Sequence, residues 1–152
     1  MCVLFLCTGN SARSQIAEAF LRKLTNERVE VHSAGSQPKA EIHPLAREAA
    51  RRVFDVEMTD QFPKSLDRFL GQKFDYVITV CDRADASCPV FPGETERIHW
   101  SLEDPAEAGG SEEEMRRAFE ATADDVMRRI RLWLALPNVL EKTGVRAAGL
   151  PH

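Results

Sequence analysis

The sequence predicts an α/β fold: a single domain built on a central four-stranded parallel sheet flanked by helices on both faces. Three observations carry this. Two short runs, residues 3–6 (Val-Leu-Phe-Leu) and 76–80 (Tyr-Val-Ile-Thr-Val), are almost wholly apolar, as strands buried on both faces are. Stretches with apolar residues at helical spacing alternate with the strand-like ones, and this alternation implies crossovers and a parallel sheet. The length of 152 residues suits one core. Residues 1–136 read as the folded domain and 137–152 as a C-terminal tail.

The first strand runs straight into Cys7-Thr-Gly-Asn-Ser-Ala-Arg13-Ser14. Arg13 and Ser14 open a helix, because Ala17, Phe20, Leu21 and Leu24 then recur on one face. The loop between strand and helix can aim its N–H groups at one spot, with the helix's positive end behind it. Thr8, Gly9, Asn10, Ser11, Ala12, Arg13 and Ser14 therefore form a candidate oxyanion site. A thiol placed there has its thiolate stabilised, so Cys7 is the candidate nucleophile. Arg13 offers a planar fork for two oxygens of a tetrahedral anion. The bland alternative is a small cysteine ending a strand and a solvated arginine; the strand–loop–helix setting favours chemistry.

Residues 29–35 alternate and end in small residues, which reads as a second strand. Pro44 starts a helix carrying Leu45, Ala49, Ala50 and Val53. Ser65 caps a short helical turn through Leu66, Phe69 and Leu70, stopped by Gly71. The third strand, 76–80, delivers Cys81 at its end. Residues 82–87 are polar and small with no buried stripe, which suits a segment that moves, and they lead to Cys88-Pro89. Residues 98–100 form a fourth strand ahead of the loop holding Asp104-Pro105. The last strong helix runs from Ser111 to Leu136. Glu112, Glu113 and Glu114 sit at its positive end, Arg128, Arg129 and Arg131 toward the other. Its stripe is Met115, Phe119, Thr122, Val126, Ile130 and Trp133. Pro137 and Asn138 stop it. Ligands of such sheets bind beyond the carboxyl ends of the strands, where Cys7, Cys81 and the Asp104 loop all fall.

A net charge of −4 gives no support for nucleic-acid binding. There is no long apolar stretch and no leader pattern, so the expectation is a cytoplasmic protein without membrane contact. The four cysteines then face a reducing environment, where catalytic, redox or metal roles outweigh stapling. No exposed apolar seam is evident, and a monomer is expected.

The Cys7-x5-Arg13 loop between strand and helix resembles the phosphate-binding loop of the low-molecular-weight tyrosine phosphatase superfamily. With Val80-Cys-Asp-Arg, Ser87-Cys-Pro-Val, His99-Trp100 and Asp104-Pro105, the chain is similar to the thioredoxin-coupled arsenate reductases over nearly all of residues 3–105. The resemblance implies a low-molecular-weight tyrosine phosphatase-like fold and reduction of arsenate to arsenite without a resident cofactor. It implies that Cys7 attacks arsenic, Asp104 protonates the departing hydroxide, Cys81 attacks Cys7, and Cys88 attacks Cys81. Thioredoxin would reduce the resulting Cys81–Cys88 disulfide, though a glutaredoxin-type or small-thiol reductant fits the residues too. Phosphate or sulfate would occupy the loop as analogues. Ser14 is expected to donate to the Cys7 thiolate, or else to be an ordinary first-turn residue.

Some members bind potassium beside the loop, and Asn10, Glu18 and Ser33 match positions that serve it. Lys64 or Ser65 stands where those members carry an aspartate, so a lysine ammonium replaces the cation, Asn10 braces the loop through its amide, and no metal is expected. Cys81 and Cys88 could be a zinc pair, but their spacing is not that of a zinc knuckle and nothing completes a tetrahedral set. They could also be inert core thiols. Asp104 could be a plain turn residue. Cys2 reads as packing. His32, His43, His99 and His152 show no ligand spacing, and Trp100 and Trp133 read as core. The runner-up function is a low-molecular-weight protein tyrosine phosphatase hydrolysing phosphate monoesters through Cys7, Arg13 and Asp104. Against it, Ala106-Glu-Ala stands where such phosphatases carry aromatic residues. A third reading is a non-catalytic oxyanion or redox sensor.

Overall fold

Four parallel strands, β1 (Cys2–Cys7), β2 (Glu30–Gly35), β3 (Tyr76–Thr79) and β4 (Glu96–His99), hydrogen bond in the order β2-β1-β3-β4 in a computed structural model that describes residues 1–144. His152 and the rest of 145–152 lie outside the described residues. The helices are α1 (Arg13–Leu24), α2 (Pro44–Phe54), α3 (Asp82–Ala86), α4 (Glu112–Leu134) and α5 (Pro137–Thr143). The central position of β1 explains its composition, since Val3, Leu4 and Phe5 are wholly buried.

The register assigns the two faces. Val3, Val31 and Tyr76 share one row, and Tyr76 meets Trp133 of α4 edge-on at 5.1 Å. Leu4, His32 and Val77 share the opposite row, and there His32 packs on Phe69 of the 3₁₀ turn Leu66–Phe69 at 5.1 Å. On the first face α1, α2 and α4 also pack on one another. Residues Ser14 to Leu21 of α1 are consequently buried all round, where the spacing alone predicts one buried face.

Local signals work as expected at several ends. Ser111 Oγ accepts from Glu114 N (3.1 Å) at the start of α4, and Ser65 Oγ accepts from Asp67 N (3.1 Å). Pro44 occupies the first turn of α2, which His43 caps by accepting from Leu45 N through Nδ1 (3.1 Å). Two segments differ from expectation. Residues 82–86 form α3, because Cys81 Sγ accepts from Ala84 N at 3.4 Å and Ala84 is buried. The expected tail begins with α5: Pro137 ends α4 but also starts the next helix, since a first-turn residue needs no N–H, and Val139 is fully buried. No helix among the described residues is long and apolar enough to cross a membrane.

Candidate active site

The loop joining β1 to α1 is held by its carbonyls. Those of Cys7, Thr8, Gly9 and Ser11 accept from the N–H groups of Ser36 (3.3 Å), Gln37 (2.9 Å), Lys39 (2.9 Å) and His43 (2.9 Å). The Asn10 carbonyl accepts from Gln15 Nε2 at 3.0 Å. In a trans peptide each N–H points away from the preceding carbonyl. Anchoring five carbonyls outward therefore turns the N–H groups of Thr8, Gly9, Asn10, Ser11 and Ala12 inward, which is an anion cradle. Gly35 allows the close approach, since a Cβ there would lie 2.5 Å from the Thr8 carbonyl oxygen.

Asn10 adopts a left-handed φ of 49°, which asparagine tolerates, and its buried amide is fully paired. Nδ2 donates to Ser14 Oγ (2.8 Å) and Ser33 Oγ (3.0 Å), while Oδ1 accepts from Gln15 Nε2 (3.0 Å) and Lys64 N (2.9 Å). Among the described contacts the Ser14 side chain bonds to Asn10 rather than to Cys7. Ser33 Oγ donates to Glu18 Oε1 (2.7 Å), and Glu18 also faces Arg22 (2.7 Å) and the Lys64 ammonium (3.9 Å). Two cations thus stand against the carboxylate that matches a potassium ligand.

A cavity of about 440 Å³ opens over the cradle and brings together Cys7, Arg13, Cys81 and Asp104. Arg13 is aimed by Nη1, which donates to the Leu102 carbonyl at 2.9 Å, and Nη2 lies 3.8 Å from Asp104 Oδ2. Asp104 Oδ1 accepts from Ala106 N (3.0 Å) and so caps the 3₁₀ turn Pro105–Glu107. Turn residue and cavity-facing carboxylate are one and the same.

Cys7 and Cys81 shift each other. Cys81 is lowered to about 5, first by the hydrogen bond from Cys7, against burial, and further by Thr8 and the Ala84 N–H. The Thr8 hydroxyl lies 3.3 Å from Cys81 Sγ. Cys7 is pushed up by the same bond and by burial, with Arg13 and the Thr8 N–H pulling down. Each sulfur is the first cause of the other's shift, so a thiolate on either one is stabilised by the neighbouring thiol. Cys88 stays apart, half-buried after α3, with its thiol raised chiefly by burial. Asp82 Oδ1 takes His99 Nε2 (2.8 Å) and Ser101 Oγ (3.0 Å), and Thr79 Oγ1 donates to Asp85 Oδ1 (3.2 Å) and meets His99 Nδ1 (2.7 Å). These bonds tie α3 to the ends of β3 and β4.

The family model described as low molecular weight phosphotyrosine protein phosphatase matches residues 2–145. The chain belongs to that family. An arsenate reductase of Oceanobacillus iheyensis is 40% identical over 131 residues, spanning 86% of this chain and 93% of the relative. A solved Corynebacterium glutamicum thioredoxin-dependent arsenate reductase is 36% identical with a TM-score of 0.60; the match covers 87% of this chain and 62% of that one. An arsenate reductase solved in the phosphate-binding state is 25% identical with a TM-score of 0.67, covering 88% and 96%. The four-stranded parallel sheet and its helices are the fold of that family.

Several residues of the site escape a motif reading. Gln15 donates to Asn10 and to the Phe62 carbonyl (3.0 Å), and Gln61 Nε2 donates to Gln15 Oε1 (2.8 Å), so the cradle rests on a buried amide pair. Gln37 and Lys39 line the cavity from the segment that anchors the loop. Their signal in the sequence is only that they follow β2, at the same sheet edge as Cys7.

Proposed function

We propose that this chain reduces arsenate to arsenite through Cys7, Cys81 and Cys88, with thioredoxin as the electron donor. The observation that carries the reading is a second sulfur, Cys81, lining the same cavity as Cys7, Arg13 and Asp104. Phosphate-ester hydrolysis has no use for that sulfur.

Arsenate docks against the inward N–H groups and Arg13. Cys7 sulfur bonds to arsenic as its proton passes to Cys81; a hydroxyl leaves as water with a proton from Asp104. Cys81 then attacks Cys7 sulfur, and its proton goes to the departing arsenic oxyanion. The S–As bonding pair leaves with arsenic, which falls from As(V) to As(III), while two sulfurs are oxidised to a disulfide. Cys88 attacks Cys81 and frees Cys7. A disulfide needs its two Cα atoms within roughly 7 Å, so in this reading the segment that follows Cys81, α3 included, rearranges for this step. An external dithiol restores the pair. The protein acts as a cytoplasmic monomer in this reading.

Single Cys→Ser changes at 7, 81 and 88 test it. Each should abolish thioredoxin-driven arsenite production, whereas only Cys7→Ser should abolish hydrolysis of a phenyl phosphate ester. Full arsenate turnover by Cys88→Ser would remove the third thiol from the scheme. Brisk phosphopeptide hydrolysis without arsenate turnover would favour the phosphatase reading.

A further inference from the structure

At the sheet edge opposite the active site, the first residues of β1 and β2 bring together a thiol, a carboxylate and an imidazole. Cys2 and Glu30 are paired across the strands, and His32 follows two residues later on the same face. Cys2 Sγ donates to Glu30 Oε2 at 2.9 Å, His32 Nε2 lies 3.0 Å from the same oxygen, and all three donor atoms fall within 4.8 Å of one another. We propose that Cys2, Glu30 and His32 form a binding site for a divalent transition-metal ion of zinc's class, with water in the fourth position.

The donor set chooses the ion. Sulfur and imidazole nitrogen with one carboxylate suit Zn²⁺ or Co²⁺, whereas calcium and magnesium take oxygen ligands. Tetrahedral zinc with bonds of about 2.0–2.3 Å holds its donors roughly 3.3–3.6 Å apart, so the two spacings to Glu30 Oε2 open by about half an ångström on binding. All three ligands sit on paired strands, Cys2 on β1 and Glu30 and His32 on β2. The His32 ring is held against Phe69 (5.1 Å) and Phe74 (6.2 Å). Asp75 adds negative charge next to the site, its Oδ2 taking the Cys2 N–H at 2.7 Å. The two arginines lining the same cavity point elsewhere: Arg22 bonds Glu18 (2.7 Å) and the Val31 carbonyl (2.8 Å), and Arg28 bonds the Gly144 carbonyl (2.9 Å).

Binding breaks the Cys2 S–H bond, forms a sulfur–metal bond and releases the proton to water; nothing changes oxidation state. The ion would clip β1 to β2 about 17 Å from Cys7, the length of the strand. A reading of the sequence treats Cys2 as packing and His32 as lacking ligand spacing, because the donors come from two strands far apart in the chain.

Any thiol is a potential ligand for these ions, so the test uses the Cys7→Ser/Cys81→Ser/Cys88→Ser chain, in which Cys2 is the one thiol left. Titration with Co²⁺ should produce a thiolate-to-cobalt charge-transfer band with the visible bands of tetrahedral cobalt, saturating at one ion per chain and bleached by Zn²⁺. Adding His32→Gln or Glu30→Gln should weaken Co²⁺ binding by roughly tenfold or more, and Cys2→Ser should remove the charge-transfer band. No band in the three-serine chain, or one indifferent to His32→Gln, overturns the proposal. In the three-serine chain, Zn²⁺ should raise Tm by mass action, and by less once His32→Gln is added. An equal rise in both places the metal on other groups and also overturns it.

Discussion

The sulfur of Cys81 receives the Cys7 thiol, the Thr8 hydroxyl and the Ala84 N–H, and donors converging on one sulfur favour its thiolate. Its charge should persist as pH falls until about 5, and only below that should the sulfur take up a proton. Iodoacetamide attacks thiolates, so the rate of Cys81 carbamidomethylation, read by mass spectrometry against pH, should have its midpoint near there. Cys7→Ser removes the largest cause, and the midpoint should then move up toward the ordinary thiol range. A midpoint already in that range in the unsubstituted protein would contradict this stabilisation of the Cys81 thiolate. At this scale Cys7, Arg13 and Asp104 are legible from residue type and spacing. Gln15 and Gln61 are not, because an amide reveals its purpose only through partners that the fold supplies from elsewhere in the chain.

Among the elements, α3 shows how a short helix is made. Five residues give no readable period and cannot sustain a helix by propensity. Its cap is Cys81, and its hold on the sheet is the set of bonds from His99, Ser101 and Thr79 to Asp82 and Asp85. The His99 bond is also the first cause holding the Asp82 carboxyl below the usual carboxylate range. His99→Ala should therefore speed amide hydrogen exchange in α3 while leaving the central strand β1 protected. Unchanged exchange in α3 would mean that the cap alone holds it. The stretch reads in the sequence as a mobile loop for the same reason that it should loosen easily: its order comes from a few polar contacts at the surface.

For the whole molecule, the core extends past the point where the sequence's periodicity ends. Val139 of α5 is fully buried, so Val139→Ala should cost about 2 kcal/mol of unfolding free energy in urea titration. A loss near zero would return residues after Leu136 to the status of a loose tail. By itself the amino-acid sequence determined the parallel α/β architecture, the starts of α2 and α4 and the cradle between β1 and α1. These rest on local rules of apolar period, capping residue and motif spacing, which act over a few neighbours. Only the tertiary structure decided that α1 is buried all round, that Cys7 and Cys81 line one cavity, and that Cys2, Glu30 and His32 meet. Each of those depends on strands and helices separated by long stretches of chain being packed side by side, and contact at that range leaves no pattern in a single sequence.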